Sequence, residues 1–199
     1  MREPGLAHKP GPSTGPERAE AQRALLLGAM TRAAGEHGYE ACRVEDVLGL
    51  SSLSRATFYK FFVDKRGCFM AAFEAAADAL LAAAAEAVEA TPDPEARVEA
   101  GIDALIDRLA ADPAMARLAL VEIRTAGPEG QERYEAASKR FASLLAAGEC
   151  LRRVRPGTEM EKAERAVDAV ATVLWMEISG GRTGRLSRLA PALVALVRR

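Results

Sequence analysis

The 199-residue sequence predicts an all-α protein of about nine helices. Apolar residues recur at intervals of three and four from about residue 17 almost to the end, which is the spacing of one helix face. Alternating runs rich in β-branched residues, the pattern of strands, are absent. Prolines are tolerated at the first turn of a helix, and five of them stand near the starts of apolar stripes: Pro94, Pro113, Pro128, Pro156 and Pro191.

The pattern of the first 91 residues predicts a flexible arm followed by four helices. Residues 1–16 hold four of the ten prolines and almost nothing to bury, so we expect a flexible arm. A first apolar stripe ends at Gly38, and two short helical segments follow over 44–50 and 54–61. Asp64 fits as the N-cap of a long fourth helix that ends before Thr91.

The rest of the chain predicts further helices around four apolar stripes, over residues 98–109, 134–145, 167–178 and 186–197. The last stripe is very apolar for the end of a chain, so we expect a second subunit to cover Leu189, Leu193, Leu196 and Val197. Seven of the ten aromatic residues lie between Tyr39 and Phe73. Because aromatics supply large buried areas, the first 73 residues predict a compact unit.

Composition excludes several classes of protein. Three cysteines without a CxxC spacing support neither a disulfide framework nor a zinc site, so we expect a reducing cytoplasm. No charge-free run exceeds nine residues, and no signal-peptide pattern opens the chain, so we expect no membrane partner. With two histidines, no ligand cluster and no catalytic motif, we expect no metal, no cofactor and no enzyme activity.

The net charge of −1 is the sum over segments that differ in their balance of basic and acidic residues. Residues 1–70 carry 10 basic and 8 acidic side chains, residues 71–181 carry 12 and 20, and residues 182–199 carry 5 and none. The acidic balance therefore belongs to the middle of the chain. The first segment remains compatible with a nucleic-acid partner.

Residues 44–61 form the most informative pattern. Two short helices joined by a tight turn, the second rich in hydroxyl and basic side chains, are typical of a helix-turn-helix. Val47 and Phe58 are predicted to point inward, whereas Arg55 and its polar neighbours form an exposed face. Hydroxyls can bind phosphates and a long arginine can reach a guanine edge. Pattern alone leaves open an ordinary helical hairpin with a solvated face.

The spacing of these residues adds a resemblance. Gly38-Tyr39, Val44-x-Asp46-Val47, Leu53-Ser54-x-x-Thr57-Phe58-Tyr59-x-x-Phe62 and Lys65 resemble the DNA-binding domain of the TetR (tetracycline-repressor-like) transcriptional regulators. The resemblance covers residues 25–73, and the remainder matches only in length and helix count. It implies a helix-turn-helix domain over 17–66 and an effector-binding and dimerisation domain over 67–199.

The resemblance also implies a mechanism. A homodimer, joined through the last two helices, would bind a palindromic DNA operator as a repressor, and a small molecule would release it. Arg55 would read a base, while hydroxyls and lysines would hold phosphates. The DNA-contacting residues would be Arg43, Ser54, Arg55, Ala56, Thr57, Tyr59, Lys60 and Lys65.

Four positions depart from the family pattern inside this domain, and two of these departures bear on the backbone of the helix-turn-helix. Arg43 stands where Thr or Ser commonly caps the second helix, so we expect that side-chain cap to be lost, at about 1 kcal/mol. Ser52 stands where the turn usually has glycine, so a left-handed backbone there would be strained.

An effector pocket is indicated only by candidates. Bulky or adaptable side chains are few in the alanine-rich second half, and they either line a pocket or fill the core. Glu122 either anchors a ligand or lies on a helix surface, and the surface is favoured. The candidates are Met115, Glu122, Tyr134, Phe141, Trp175 and Met176.

Two other functions stay open at this point. The chain could be a helical interaction module that has lost DNA binding, or an all-α enzyme built on residues that no motif reveals. Binding to random duplex DNA at low salt separates the first of these from a regulator.

Overall fold

The computed structural model describes residues 15–147 and 158–198, and across these it contains nine α-helices, two 3-10 helices and no strand. The all-α prediction is confirmed. Most of the predicted arm and Pro156 lie outside the described residues. The elements are α1 (Gly15–His37), α2 (Val44–Ser51), α3 (Arg55–Phe61), α4 (Lys65–Ala90), α5 (Arg97–Ala111), α6 (Pro113–Leu120), η1 (Glu122–Thr125), α7 (Gly127–Ala147), α8 (Glu159–Ser179), η2 (Thr183–Leu189) and α9 (Ala190–Val197).

Side-chain caps define where the early helices begin. The Ser54 hydroxyl accepts a hydrogen bond from the Thr57 amide at 3.1 Å and begins α3. The Asp64 carboxylate accepts one from the Gly67 amide at 2.8 Å and begins α4, as predicted. Arg43 has no such cap, but its own amide donates to the Asp46 carboxylate at 2.7 Å. Half of a capping box therefore remains at α2.

Helix α4 is the axis of the structure. It packs on α1 at one end and on α5 and α7 along the rest, so one hydrophobic core runs through both halves of the chain. The predicted domain boundary at 66/67 falls in its first turn and stays a prediction. By length and composition this helix is apolar enough to cross a membrane, but half of its most apolar stretch is buried in the protein. A core helix passes the same test.

The end of the chain differs from its prediction. Leu193 and Val197 are buried within the subunit, and Leu189 and Leu196 are half-buried, because α9 packs on α5 and α8. The expectation that these residues need a second subunit to cover them was wrong. In the described second half of the chain, the large apolar side chains that the subunit leaves exposed lie on α8 instead.

Ser52 ends α2 in the left-handed backbone region, with φ 56° and ψ 24°. It is the only non-glycine residue with positive φ in the described part of the chain. Its side chain is exposed, so the Cβ strain is not offset by packing.

We expect Ser52→Gly to raise the free energy of unfolding by about 0.5 to 1 kcal/mol, because glycine removes the Cβ strain and the greater freedom of the unfolded chain offsets part of the gain. Ser52→Ala keeps the Cβ and should change stability by less than about 0.5 kcal/mol. Urea denaturation followed by circular dichroism measures both. A destabilising glycine would show that the turn is not strained.

Candidate nucleic-acid interface and candidate ligand cavity

The predicted recognition helix presents its polar side chains to solvent. Arg55, Ala56, Tyr59 and Lys60 of α3 are exposed, and so is Ser54 before it. Phe58, on the opposite face, is fully buried and fixes the helix to the core.

Hydroxyls at the start of α3 are already ordered. The Ser54 and Thr57 hydroxyls hydrogen-bond to each other at 2.9 Å, and Thr57 is half-buried. Arg43 is exposed at the start of α2, on the other side of the motif. The two helices therefore offer hydroxyl and guanidinium groups at their first residues, which suits phosphate contacts.

Arg55 has a partner within the motif. Its guanidinium forms an ion pair with the Glu45 carboxylate of α2, and both side chains are more than half exposed. The backbone hydrogen bond at the start of α2 and the Arg55 guanidinium hold the pKa of Glu45 below its usual range. Because exposed pairs contribute little to stability, Arg55 is free to exchange this partner for a base.

Lys65 is engaged inside the protein. Its ammonium donates to the carbonyls of Tyr39, Glu40 and Cys42 at 2.8, 3.3 and 3.0 Å. It also lies 4.5 Å from the centre of the Tyr39 ring. A phosphate contact was predicted for Lys65, whereas the structure directs all three donors of its ammonium to the turn before α2.

A cluster of aromatic rings supports the interface from below. Ring centres are 4.3 Å apart for Tyr39 and Phe69, and 5.7 Å apart for Phe58 and Phe62. The first contact joins the turn before α2 to α4, and the second lies within α3 and the residue that ends it. That the first 73 residues form a compact unit of their own stays a prediction, because one hydrophobic core runs through both halves of the chain.

The two described cysteines are buried. Burial raises the pKa of the Cys42 thiol, and it raises the pKa of Cys68 to about 12. Reactive cysteines need a thiolate, so these two behave as small apolar side chains. Among the residues that the structure describes, no cluster of three potential metal ligands occurs.

The second half of the chain forms a partly open apolar cavity of about 150 Å³, lined mainly by α4, α5, α7 and α8. Apolar side chains make up nearly all of its wall, and the polar side chains among its described lining are Arg97, Tyr134 and Ser138. Arg97 donates from Nε to the Thr91 carbonyl at 3.0 Å. The lining includes Phe73, Ala77, Leu80 and Val88 from α4.

The predicted pocket residues divide into three groups. Tyr134 and Phe141 line the cavity. Met115 is buried in the core against a different groove, because α6 turns it toward α1 and α4. Trp175 and Met176 are 37% and 46% exposed on the outer face of α8, away from the cavity. These side chains were predicted to line a pocket because they are bulky and few in this half of the chain. The helix face on which each one lies decides where it points.

Glu122 lies in neither of the expected places. It is 5% exposed and does not line the cavity, so the favoured surface position was wrong. Its carboxylate accepts a hydrogen bond from the Tyr39 amide at 2.9 Å and pairs with the Arg117 guanidinium at 2.7 Å. A buried carboxylate needs such partners. The flanking apolar residues Val121 and Ile123 were compatible with a buried Glu122. Nothing in the sequence indicated that its partner is Tyr39, 83 residues away.

Sequence reasoning also missed residues. Arg97 and Ser138 were not singled out, although they are the polar groups beside an otherwise apolar wall. The helical repeat allows Arg97 and Ser138 to lie on faces that point inward. It does not indicate which inward faces are separated by a cavity.

Known proteins resemble this chain in structure rather than in sequence. No protein-family model matches the chain, and no curated protein matches it significantly. The fatty acid degradation regulator FadR of Bacillus halodurans is similar, with a TM-score of 0.76 and 15% identity over 87% of this chain and 96% of that chain. FadR of Bacillus subtilis in complex with stearoyl-CoA gives 0.74 and 14%, with the same coverage.

A third solved structure carries the family name. The TetR-family regulator PfmR of Thermus thermophilus has a TM-score of 0.66 and 23% identity, over 86% of this chain and 96% of that chain. These neighbours are transcriptional regulators rather than enzymes. The fold expected from the helix-turn-helix motif is confirmed over both halves of the chain, which therefore has the fold of the TetR-family transcriptional regulators.

Proposed function

We propose that the protein is a cytoplasmic, ligand-responsive DNA-binding regulator that acts as a homodimer, most simply as a repressor. The observation that carries the proposal is the continuity of α4, which begins shortly after the recognition helix ends and lines the apolar cavity further along. A molecule that fills the cavity must move this helix or its neighbours, because packed interiors do not deform freely.

DNA recognition is assigned to the exposed face around α3. Arg55 reads a base, Ala56 contacts a thymine methyl group, and Ser54, Thr57 and Tyr59 hold phosphates. Arg43 and Lys60 add positive charge at the two edges of this face. We assign Lys65 a positioning role in place of a phosphate contact, because its ammonium already holds the turn before α2.

We expect Arg55→Ala to weaken binding to a duplex selected from a random pool by about 5- to 150-fold, the loss of 1 to 3 kcal/mol typical of a base contact. Binding to random duplex should change little. Lys139→Ala, an exposed charge on α7, is the control. Fluorescence anisotropy of labelled duplexes over a series of salt concentrations measures both affinities, and the wild type should weaken steeply with salt.

Two outcomes would contradict this assignment. Equal losses on selected and random duplexes would remove Arg55 from base reading. If the wild type binds no duplex at low salt, the protein is a helical interaction module that has kept the fold without DNA binding.

The effector is proposed to be an apolar molecule with one polar end. The cavity wall is nearly all apolar, and Arg97 and Ser138 stand where a carboxylate or carbonyl could be held. The FadR of Bacillus subtilis was solved with stearoyl-CoA, which is such a molecule. A cavity of about 150 Å³ is of the size that holds benzene, so a long acyl chain fits only if it extends through the open side or if helices move apart.

We expect at least one fatty acyl-CoA, in a series from short chains to stearoyl-CoA, to bind the wild type in a calorimetric titration. Ala137→Phe should lower its affinity at least about tenfold, because Ala137 lines the cavity and the added ring occupies it. Ala136→Phe places the same ring on the exposed side of α7 and should not change the affinity. Equal effects of the two variants would move the binding site elsewhere.

The dimer interface is proposed on α8, with α9 beside it. Met160, Trp175 and Met176 are 44%, 37% and 46% exposed, although they are large and apolar. Exposed apolar patches of this kind mark protein contacts. A two-fold axis along these helices would place two recognition helices about 34 to 36 Å apart, one helical turn of DNA.

We expect the wild type to sediment as a dimer and Met176→Glu to sediment as a monomer, because the new carboxylate would be desolvated in the interface. Ala136→Glu adds the same charge to an exposed site on α7 and should leave the dimer intact. Circular dichroism verifies that both variants keep their helices. A wild-type monomer at micromolar concentration would contradict the proposal.

A further inference from the structure

The short 3-10 helix η1 touches three regions that the proposed function treats separately. Glu122, at its start, reaches the turn before the helix-turn-helix. Arg124, two residues later, reaches the cavity wall and the exposed face of α8. The four residues of η1 therefore lie at the junction of the DNA-binding, ligand-binding and dimerisation surfaces.

On the DNA side, the contact is made by a buried carboxylate. The Oε2 atom of Glu122 accepts a hydrogen bond from the Tyr39 amide at 2.9 Å, and Oε1 accepts one from the Arg117 guanidinium at 2.7 Å. A Cβ atom on Gly38 would stand 3.4 Å from Oε2, so the turn approaches closely. Gly38 has φ +83°, a conformation that side chains rarely adopt. The backbone is thereby held at one defined distance from η1.

The same turn is held from its other side. Lys65 donates to the carbonyls of Tyr39, Glu40 and Cys42, and the Tyr39 ring packs on Phe69 of α4. Helix α2 begins directly after this turn, at Val44. A shift of the turn relative to α4 therefore changes the position of α2 and, through it, of α3.

On the cavity side, the contact is made by a guanidinium. Arg124 donates to the Tyr134 hydroxyl at 2.7 Å and lies 4.6 Å from the centre of that ring. The Trp175 ring centre is 5.8 Å away on its other flank. Tyr134 belongs to the wall of the cavity, whereas Trp175 belongs to the exposed face of α8. One side chain thus joins both surfaces.

Close backbone packing makes η1 move together with α7. A Cβ atom at Gly130 would stand 2.5 Å from the carbonyl oxygen of Ile123, a distance at which no side chain fits. The Thr125 hydroxyl donates to the Glu122 carbonyl at 2.8 Å and stiffens the short helix. Displacement of the cavity wall at Tyr134 is therefore transmitted to Glu122 rather than absorbed between the two elements.

We propose that η1 is a rigid connector in which Glu122 and Arg124 act as positioning residues, so that a molecule bound against Tyr134 changes the placement of the turn at residues 38–43. The regulatory part of this inference rests on the proposed function. The mechanical part does not, since it concerns contacts within one subunit. A ligand that displaces the Tyr134 hydroxyl withdraws a partner from Arg124 and loosens the hold on Tyr39.

The mechanical part is tested by hydrogen exchange of backbone amides in the ligand-free full-length protein. Tyr134→Phe keeps the ring in the cavity wall and removes only the hydroxyl that accepts from Arg124. We expect the Tyr39 amide to exchange several-fold faster in this variant, although the change lies on another helix. Arg124→Met should give the same result, and Glu122→Gln a larger one, because the amide nitrogen that replaces one carboxylate oxygen cannot accept from Tyr39 or Arg117.

Glu132→Gln, on the exposed side of α7, is the matched control and should leave this amide unchanged. Unchanged exchange at residues 39–43 in both Tyr134→Phe and Arg124→Met would overturn the connector. Because this measurement uses neither DNA nor ligand, it decides the point even where the protein proves not to bind DNA.

The regulatory part is tested by the ratio of DNA affinities with and without saturating stearoyl-CoA. A wild-type ratio clearly different from one establishes coupling, and Glu122→Gln and Tyr134→Phe should bring the ratio toward one while Glu132→Gln does not. A coupled wild type whose ratio is unaltered in both variants would show that the signal passes through α4 alone. A wild type that binds DNA with a ratio of one would instead contradict the proposed effector.

Discussion

One constraint organises the whole chain: a single 26-residue helix, α4, has to be covered along its length by two differently built halves. Near its start it packs on α1 and buries the aromatic rings of Phe69 and Phe73. Further along it is rich in alanine, which lets α5 and α7 approach closely. Where these neighbours do not quite meet, the apolar cavity remains. The placement of the predicted recognition helix and the shape of the cavity therefore both depend on α4.

Local signals in the sequence predicted the fold and the local structure of the helix-turn-helix well. Asp64 and Ser54 are short-range caps, whose effect depends on residues three positions away, and both are observed. The strained backbone at Ser52 follows from the geometry of one turn. The exposed face of α3 follows from the helical repeat. Each of these depends on neighbours in the sequence, which is why the sequence suffices.

Predictions that depend on distant neighbours were less successful. Trp175 and Met176 are as apolar as Phe141, but only the packing of α7 against α8 decides which of them faces inward. The leucines of α9 are covered by α5, which a reading of α9 by itself does not show. Lys65 and Glu122 were expected at surfaces, whereas both direct their hydrogen bonds to the same turn. The positions of such charged residues are explained by hydrogen-bond partners that lie far away in the sequence, not by the residues adjacent to them in the chain.

The pair formed by Glu45 and Arg55 bears on discrimination between DNA sites. In the proposed role, Arg55 gives up Glu45 only when a base takes its place, and a matching site offers a guanine edge as that bidentate partner. A random duplex offers no such base, so the pair stays closed there and Glu45 neutralises the charge of Arg55. Under this proposal the acidic neighbour favours discrimination, because it withholds the Arg55 charge from non-specific sites and releases it at the operator.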